Sequence, residues 1–302
     1  VPAMARHKYP LPMAATIQAT SAELGVIIPP SVPMIIFGVS TETSVTKLFI
    51  AGIGPGVLIA GALIVMTQVW CRLKGIGKED GDDALPIVKS TIDAFWALML
   101  PVIILGGIYG GIFTPTEAAA VSAVYALVVG LFVYREMSFS DLPRIFRASA
   151  VATGAIMLII ATAGLFSFLV SLSGLPNVIG SWAEATFGGA VGFLLFVNVL
   201  LLLVGMFVET SAAILVLAPI LTPIAIGFGV DPVHFGIIVI VNLALGMVTP
   251  PLGVNLFAAA AVARIPVQSM FRSLIVPVLV VFGALLLITF VPAISLWPAA
   301  HL

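Results

Sequence analysis

Seven runs of this sequence, near 11–40, 48–71, 94–112, 115–134, 148–173, 232–260 and 273–295, hold apolar residues over at least the roughly 20 positions a bilayer-crossing helix needs. An eighth stretch, 189–228, is about twice one span. The runs are continuous rather than alternating with period two, so they read as helices and not as strands of a barrel. Composition agrees: 61% of the 302 residues are hydrophobic and 8% charged, with a mean hydropathy of +1.26. A soluble fold of this length has nowhere to put so much apolar surface. The fold class that follows is an all-α polytopic membrane protein. A net charge of −1 gives no pull toward nucleic acid, and the lone Cys71 excludes a disulfide framework or a cysteine metal cluster.

Two of these runs are broken in the same way. LGVIIPP (Leu24 to Pro30) and LGMVTPP (Leu245 to Pro251) each place a Leu-Gly, three residues and a double proline inside apolar surroundings. A double proline removes two N–H donors and ends a helix, freeing the carbonyls before it. Such backbone is tolerated at membrane depth only inside protein or beside a polar cavity. At the same offset of 221 residues, Pro2 matches Pro223 and Ser21 matches Asn242; with one more residue, Phe49, Pro55 and Gly61 match Phe271, Pro277 and Gly283. The sequence is therefore expected to contain an internal repeat.

The long stretch 189–228 is interrupted by GMFVETSAA (Gly205 to Ala213), polar at its middle, which predicts a re-entrant hairpin. Charge placement tests that topology. With the hairpin not crossing, Arg6, Lys8, Arg72, Lys74, Lys78, Lys89, Arg135, Arg144, Arg147, Arg264 and Arg272 all fall on one side, the cytoplasm, and only Lys47 lies outside. If 189–228 crossed once, Arg264 and Arg272 would fall outside. The two broken helices then run in opposite directions, an inverted repeat of the kind secondary transporters use. LPNVIGSWAEATFG (Leu175 to Gly188) carries no Lys or Arg and reads as a short interfacial helix on the outer face, while KEDGDD (Lys78 to Asp83) reads as a solvated cytoplasmic loop.

Residues 1–71 are thus the end of a first repeat, 72–188 intervening spans, loops and the interfacial helix, and 189–302 a second repeat. The second copy has a hairpin before it and the first copy, starting at Pro2, has none. More chain upstream, with a matching hairpin, is the expectation; the chain also opens on Val, in a segment without the apolar core of a signal peptide.

Hydroxyls and freed carbonyls at helix ends suit a hard monovalent cation. The candidates are Glu209, Thr210 and Ser211 at the hairpin tip, Gly246, Thr249 and Pro250 in the second break, and Gly25, Ile28, Pro29 and Ser31 in the first. Sodium ligands are expected among Thr210, Ser211, Gly246 and Thr249. The alternative for each hydroxyl is a bond back to its own helix. Glu23, an intramembrane carboxylate beside the first break, is a functional candidate by default. GIFTPTEAAA (Gly111 to Ala120) reads as a helix start, with Thr114 as cap, Pro115 first and Glu117 closing a capping box. His7, His234 and His301 are too dispersed for a metal site, and no hydrolase, metalloprotease or phosphate-loop motif occurs.

GVIIPPSVPMIIFG, GIFTPTEAAAVSAVYALVVG, MFVETSAAILVLAPILTPIA and VDPVHFGIIVIVNLALGMVTPPLGVNLFAAA, in that order, resemble the large membrane (DctM-like) subunit of tripartite ATP-independent periplasmic (TRAP) transporters, within the ion transporter superfamily. The resemblance runs the length of the chain and covers the later two-thirds or so of such a subunit. It implies an elevator-type, sodium-coupled importer of organic acids such as C4-dicarboxylates or sialic acid, in the bacterial inner membrane. Implied partners are a small membrane subunit and a periplasmic substrate-binding protein, with sodium as coupling ion and no organic cofactor. Carried onto this chain, Glu209 to Ser211 and Gly246 to Pro251 would frame one sodium site, and Ser21 to Ser31 half of another. Glu23 stands where a small polar residue is expected. A carboxylate transporter of the same superfamily without a binding protein is the alternative. An intramembrane enzyme using Glu209 or His234 is remote, since neither has a partner residue in the sequence.

Overall fold

The computed structural model describes residues 1–6, 9–76 and 87–300. His7, Lys8, Lys78, the KEDGDD loop and His301 lie outside the described residues. Among the described residues every regular element is a helix, and five helices are long and apolar enough to cross a membrane, or up to seven if each sharply bent pair counts as one span. The protein is a polytopic helical membrane protein. Two units divide the chain, one formed by Val1–Glu79 with Ala163–Leu302, the other by Asp80–Thr162.

The first unit opens with α1 (Pro2–Arg6), α2 (Leu11–Ser21) and α3 (Leu24–Ile27), followed by the first double proline and α4 (Val32–Thr41). The break is wider than the sequence suggests. Helix α2 already stops at Ser21, and Gly25 and Val26 donate to Ala22 and Glu23, tight three-residue bonds that form a separate turn before the prolines. After α4 comes α5 (Val45–Lys74), whose 30 residues span about 45 Å. Ser44 caps it, accepting from Lys47 N at 3.4 Å, and Arg72 and Lys74 sit in its last turn, where cations complement the helix dipole. Gly75, at φ 65°, ends it in the left-handed conformation.

In the second unit α6 (Ile87–Asp93), α7 (Phe95–Tyr109) and α8 (Pro115–Val128) precede α9 (Leu142–Leu172), which begins in this unit and ends in the first. Two tyrosines fasten its helices: Tyr125 donates to the Trp96 carbonyl at 2.8 Å, and Tyr134 to the Asp93 carbonyl at 2.9 Å. The capping box read from GIFTPTEAAA is present. Glu117 Oε2 accepts from Thr114 N at 2.8 Å, and Thr114 Oγ1 from Glu117 N at 3.3 Å. Glu117 is therefore engaged as a cap.

The first unit resumes with α10 (Leu175–Phe187), a short helix where one was expected before Gly188. It turns by 113° into α11 (Ala190–Gly205), which is followed by the turn 206–209 and α12 (Thr210–Gly227). These two arms are the hairpin. Next come α13 (Pro232–Gly246), the second break, α14 (Val254–Ala263), α15 (Phe271–Phe290) and α16 (Ala293–Ala300). Asp231 caps α13 through Val233 N and His234 N, with Pro232 at the first position.

Helix α13 is the core of this unit. Every residue from Val233 to Gly246 is buried, with α11, α12, α5, α15, α3 and α4 packed around it. Its sequence, apolar on all sides, is that of a helix enclosed by protein rather than laid against it. The order broken helix, second half-helix, long helix with an internal proline occurs twice, with Pro55 inside α5 and Pro277 inside α15. Both double prolines hold their inner peptide bond cis.

Candidate functional site: the hairpin tip and the two helix breaks

Helix α11 ends at Gly205 and α13 at Gly246, and the two glycines meet backbone to backbone. A Cβ on Gly246 would fall 2.5 Å from Gly205 Cα, and one on Gly205 would fall 3.0 Å from the Leu243 carbonyl oxygen. Only residues without side chains permit this approach. It delivers the hairpin tip to the second break. Buried Thr210, first residue of α12, donates through Oγ1 to Met247 Sδ at 3.0 Å, directly past the end of α13.

At the tip, exposed Glu209 is the cap of α12. Its Oε2 accepts from Ala212 N at 3.1 Å and its Oε1 from Ser211 Oγ at 2.9 Å. Ser211 and Thr249 are half-buried. Thr249 Oγ1 donates to the Leu245 carbonyl at 2.7 Å, the bond back to its own helix raised as the alternative to ion ligation. That bond uses the proton and leaves the oxygen's lone pairs free. With Pro250 and Pro251 following, no backbone N–H bonds the carbonyls of Val248 and Thr249. Asn255, in the first turn of α14, donates its N–H to the Met247 carbonyl at 3.0 Å and closes the loop.

The first break is built differently. Ser31 Oγ donates to the Val26 carbonyl at 2.5 Å, folding the loop onto itself. Ser31 and Pro29 are buried, while Gly25 and Ile28 are exposed. No atom lies within 4 Å of a Cβ built on Gly25, in contrast to its repeat mate Gly246. Glu23 is fully buried, and neither carboxylate oxygen has a hydrogen-bond partner. Short helix α3 packs on α13, so both breaks border the same core helix.

A pocket of about 330 Å³ lies between α2 and α14, lined in part by Gln18, Ala22 and Asn255, one edge beside the first break and the other just past the second. Sequence reasoning passed over Gln18 and Asn255 because single amides in long apolar runs carry no motif. It also missed Asn198, an amide alone in AVGFLLFVNVLLLLVG, which the structure buries against Asn242. His234 and Glu209, weighed as enzymatic groups, are otherwise engaged: Glu209 in the cap and His234 Nε2 against the Thr289 carbonyl at 3.2 Å.

A polytopic helical protein with a hairpin, two proline-broken helices and a threonine hydroxyl tying the hairpin tip to the second break is built as a membrane transport subunit. Residues 1–294 match the family model of the tripartite ATP-independent periplasmic transporter, DctM component, and the chain belongs to that family. It is 43% identical over 293 residues to the C4-dicarboxylate TRAP transporter large permease protein DctM of Pseudomonas aeruginosa, covering 97% of this chain and 69% of that protein. The isethionate TRAP transporter permease protein DctMQ of Oleidesulfovibrio alaskensis is 41% identical over 98% of this chain, which spans 47% of that relative. The sialic acid TRAP transporter large permease protein SiaM of Vibrio cholerae is 36% identical, over 98% of this chain and 69% of its own length.

Proposed function

We propose that this chain carries out sodium-coupled import of an organic acid anion across the bacterial inner membrane, working with a small membrane subunit and a periplasmic substrate-binding protein. The observation that carries the reading is the meeting of the hairpin tip with the second helix break at Gly205, Gly246, Thr210 and Met247. In this reading the ligands come from the hydroxyls of Thr210, Ser211 and Thr249, the carbonyls before Pro250 and Pro251 and, beside Ser211, the Glu209 carboxylate. An all-oxygen set of this kind fits a hard monovalent cation, and sodium bound there would supply the coupling energy for uptake. The first break offers its own carbonyls before Pro29 and Pro30, with Ser31 and Gly25 beside them, as half of a second site.

The anion has a place as well. The pocket between α2 and α14 adjoins the start of α14, where the positive end of the helix dipole favours a carboxylate, and the side chains of Gln18 and Asn255 add amide donors. Relatives named for C4-dicarboxylates and for sialic acid support an organic acid. Transport follows an elevator-type movement in this reading, with Lys74, Arg144 and Arg272 cytoplasmic and Asn177 and Asp231 periplasmic.

The test is uptake by the transporter reconstituted in proteoliposomes with its partner subunit and binding protein. Inward sodium gradients should drive accumulation of a C4-dicarboxylate or another organic acid, and potassium should not replace sodium. Accumulation of equal extent without sodium overturns the coupling.

A further inference from the structure

Asn198 and Asn242 are the buried amides of α11 and α13, 2% and 0% exposed. Asn242 Nδ2 donates to Asn198 Oδ1 at 2.5 Å, and Thr289 Oγ1 of α15 stands 3.3 Å from the same oxygen, sharing its one proton between that oxygen and the Leu285 carbonyl of its own helix at 2.8 Å. Asn198 Nδ2 is tied to the Leu194 carbonyl at 2.7 Å, one turn back on its own helix. A polar knot thus joins three helices inside the apolar core.

The knot is not there for stability alone. Asn242 Oδ1 is buried with no donor, an open cost that apolar residues at both positions would avoid. A lone buried amide pair in an apolar seam has another well-attested use, fixing the register of one helix on another. Its position shows which register matters. Asn198 lies two turns before Gly205, and Asn242 one turn before Gly246, where the helices touch through bare backbone. A glycine–glycine contact alone is a fulcrum about which α11 can swivel. The amide pair supplies a second fixed point, and two points set rotation and axial position together. The turn 206–209 is bonded to the end of α11, Met206 N donating to Leu202 and Phe207 N and Val208 N to Val204, so the tip is tied to the end of that helix.

We infer that Asn198 and Asn242, with Thr289, are positioning residues that hold the hairpin tip against the second helix break. They touch no ion themselves. Their effect on transport rests on the sodium reading proposed above, because it is the tip-to-break spacing they set. Asn→Leu at either site keeps the volume and removes the bond.

The experiment uses Asn198→Leu, Asn242→Leu and the double variant in the transporter reconstituted with its partners, with two readouts. Amide hydrogen exchange of the tip, residues 206–212, should accelerate about tenfold in each single variant, the size expected for loss of one interhelical bond in a membrane. The double variant should exchange no faster than the faster single one, and residues 48–63 of α5 should be unchanged. The sodium concentration for half-maximal uptake should rise by a similar factor of about ten, while substrate KM at saturating sodium stays within about twofold. Unchanged exchange at the tip overturns the proposal, and so does equal acceleration in α5, which marks general loosening. Faster tip exchange in a transporter whose uptake ignores sodium leaves the clamp standing and removes the sodium reading instead. If the leucine variants do not fold, Thr289→Val, isosteric and lacking only the hydroxyl that reaches Asn198 Oδ1 and the Leu285 carbonyl of its own helix, decides. It should accelerate tip exchange in the same direction by about two- to threefold, and no change there overturns the inference.

Discussion

Replacing Gly246 by alanine adds one methyl group where the structure has no room for it. The new Cβ would lie 2.5 Å from both Cα and C of Gly205 and 2.9 Å from its oxygen. All three are backbone atoms, so no side chain can rotate away, and α11 must part from α13 by about 1 Å to reach ordinary contact. Overpacking of this kind costs roughly 1–3 kcal/mol. Local consequences are sharper, because Gly246 ends α13 immediately before Met247, which accepts from Thr210 at 3.0 Å. Moving the tip by an ångström breaks the Thr210–Met247 contact and would spoil the proposed sodium site. Misplacement of about 1 Å costs on the order of a hundredfold where geometry is critical. Gly246→Ala should therefore raise the sodium concentration for half-maximal uptake by about ten- to a hundredfold in the reconstituted transporter and lower its melting temperature. Gly61→Ala on α5, where no atom lies within 4 Å of the new Cβ, is the control and should change neither. A Gly246→Ala transporter with ordinary sodium response and thermal stability would show that the two backbones do not meet, and the site assembled on that contact would fall.

Thr249→Val keeps the β-branched shape and removes one oxygen, worth roughly 1–3 kcal/mol or about five- to a hundredfold in sodium half-saturation. Ile28→Val, at the matching position of the first repeat, should leave sodium dependence nearly as it was. Single cysteines at Lys74 and Arg144 should react with a membrane-impermeant maleimide only from the cytoplasmic side, and those at Asn177 and Asp231 only from the periplasmic side; a cytoplasmic Asp231 breaks the hairpin topology. Thr114→Ala removes the hydroxyl that accepts from Glu117 N and should lower the melting temperature by about 2–4 °C with sodium half-saturation unmoved, because this cap holds a helix start and no ion.

Much of the fold is legible in the sequence because membranes leave few choices. Apolar runs must become helices, and a double proline must end one; the breaks at Pro29 and Pro250, the Thr114–Glu117 cap, short helix α10 and the hairpin turn before Thr210 all follow from local chemistry. The paired motifs likewise announce a repeat, and GMFVETSAA announces a polar tip. These are properties of short segments, and short segments carry them.

Tertiary structure alone decided which segments meet. Gly205 and Gly246 are two glycines among 28, and nothing local distinguishes them from Gly25, whose surroundings are open. Asn198 and Asn242 are 44 positions apart, and their bond exists only because α11 lies along α13. The early end of α2 and the burial of Glu23 also escape local rules, since propensity alone would continue that helix to the prolines. Inside a bilayer every apolar side chain is equally content against lipid, so hydrophobicity says that a helix forms but not what it packs on. That choice falls to close backbone approach and to a few polar atoms that must find one another.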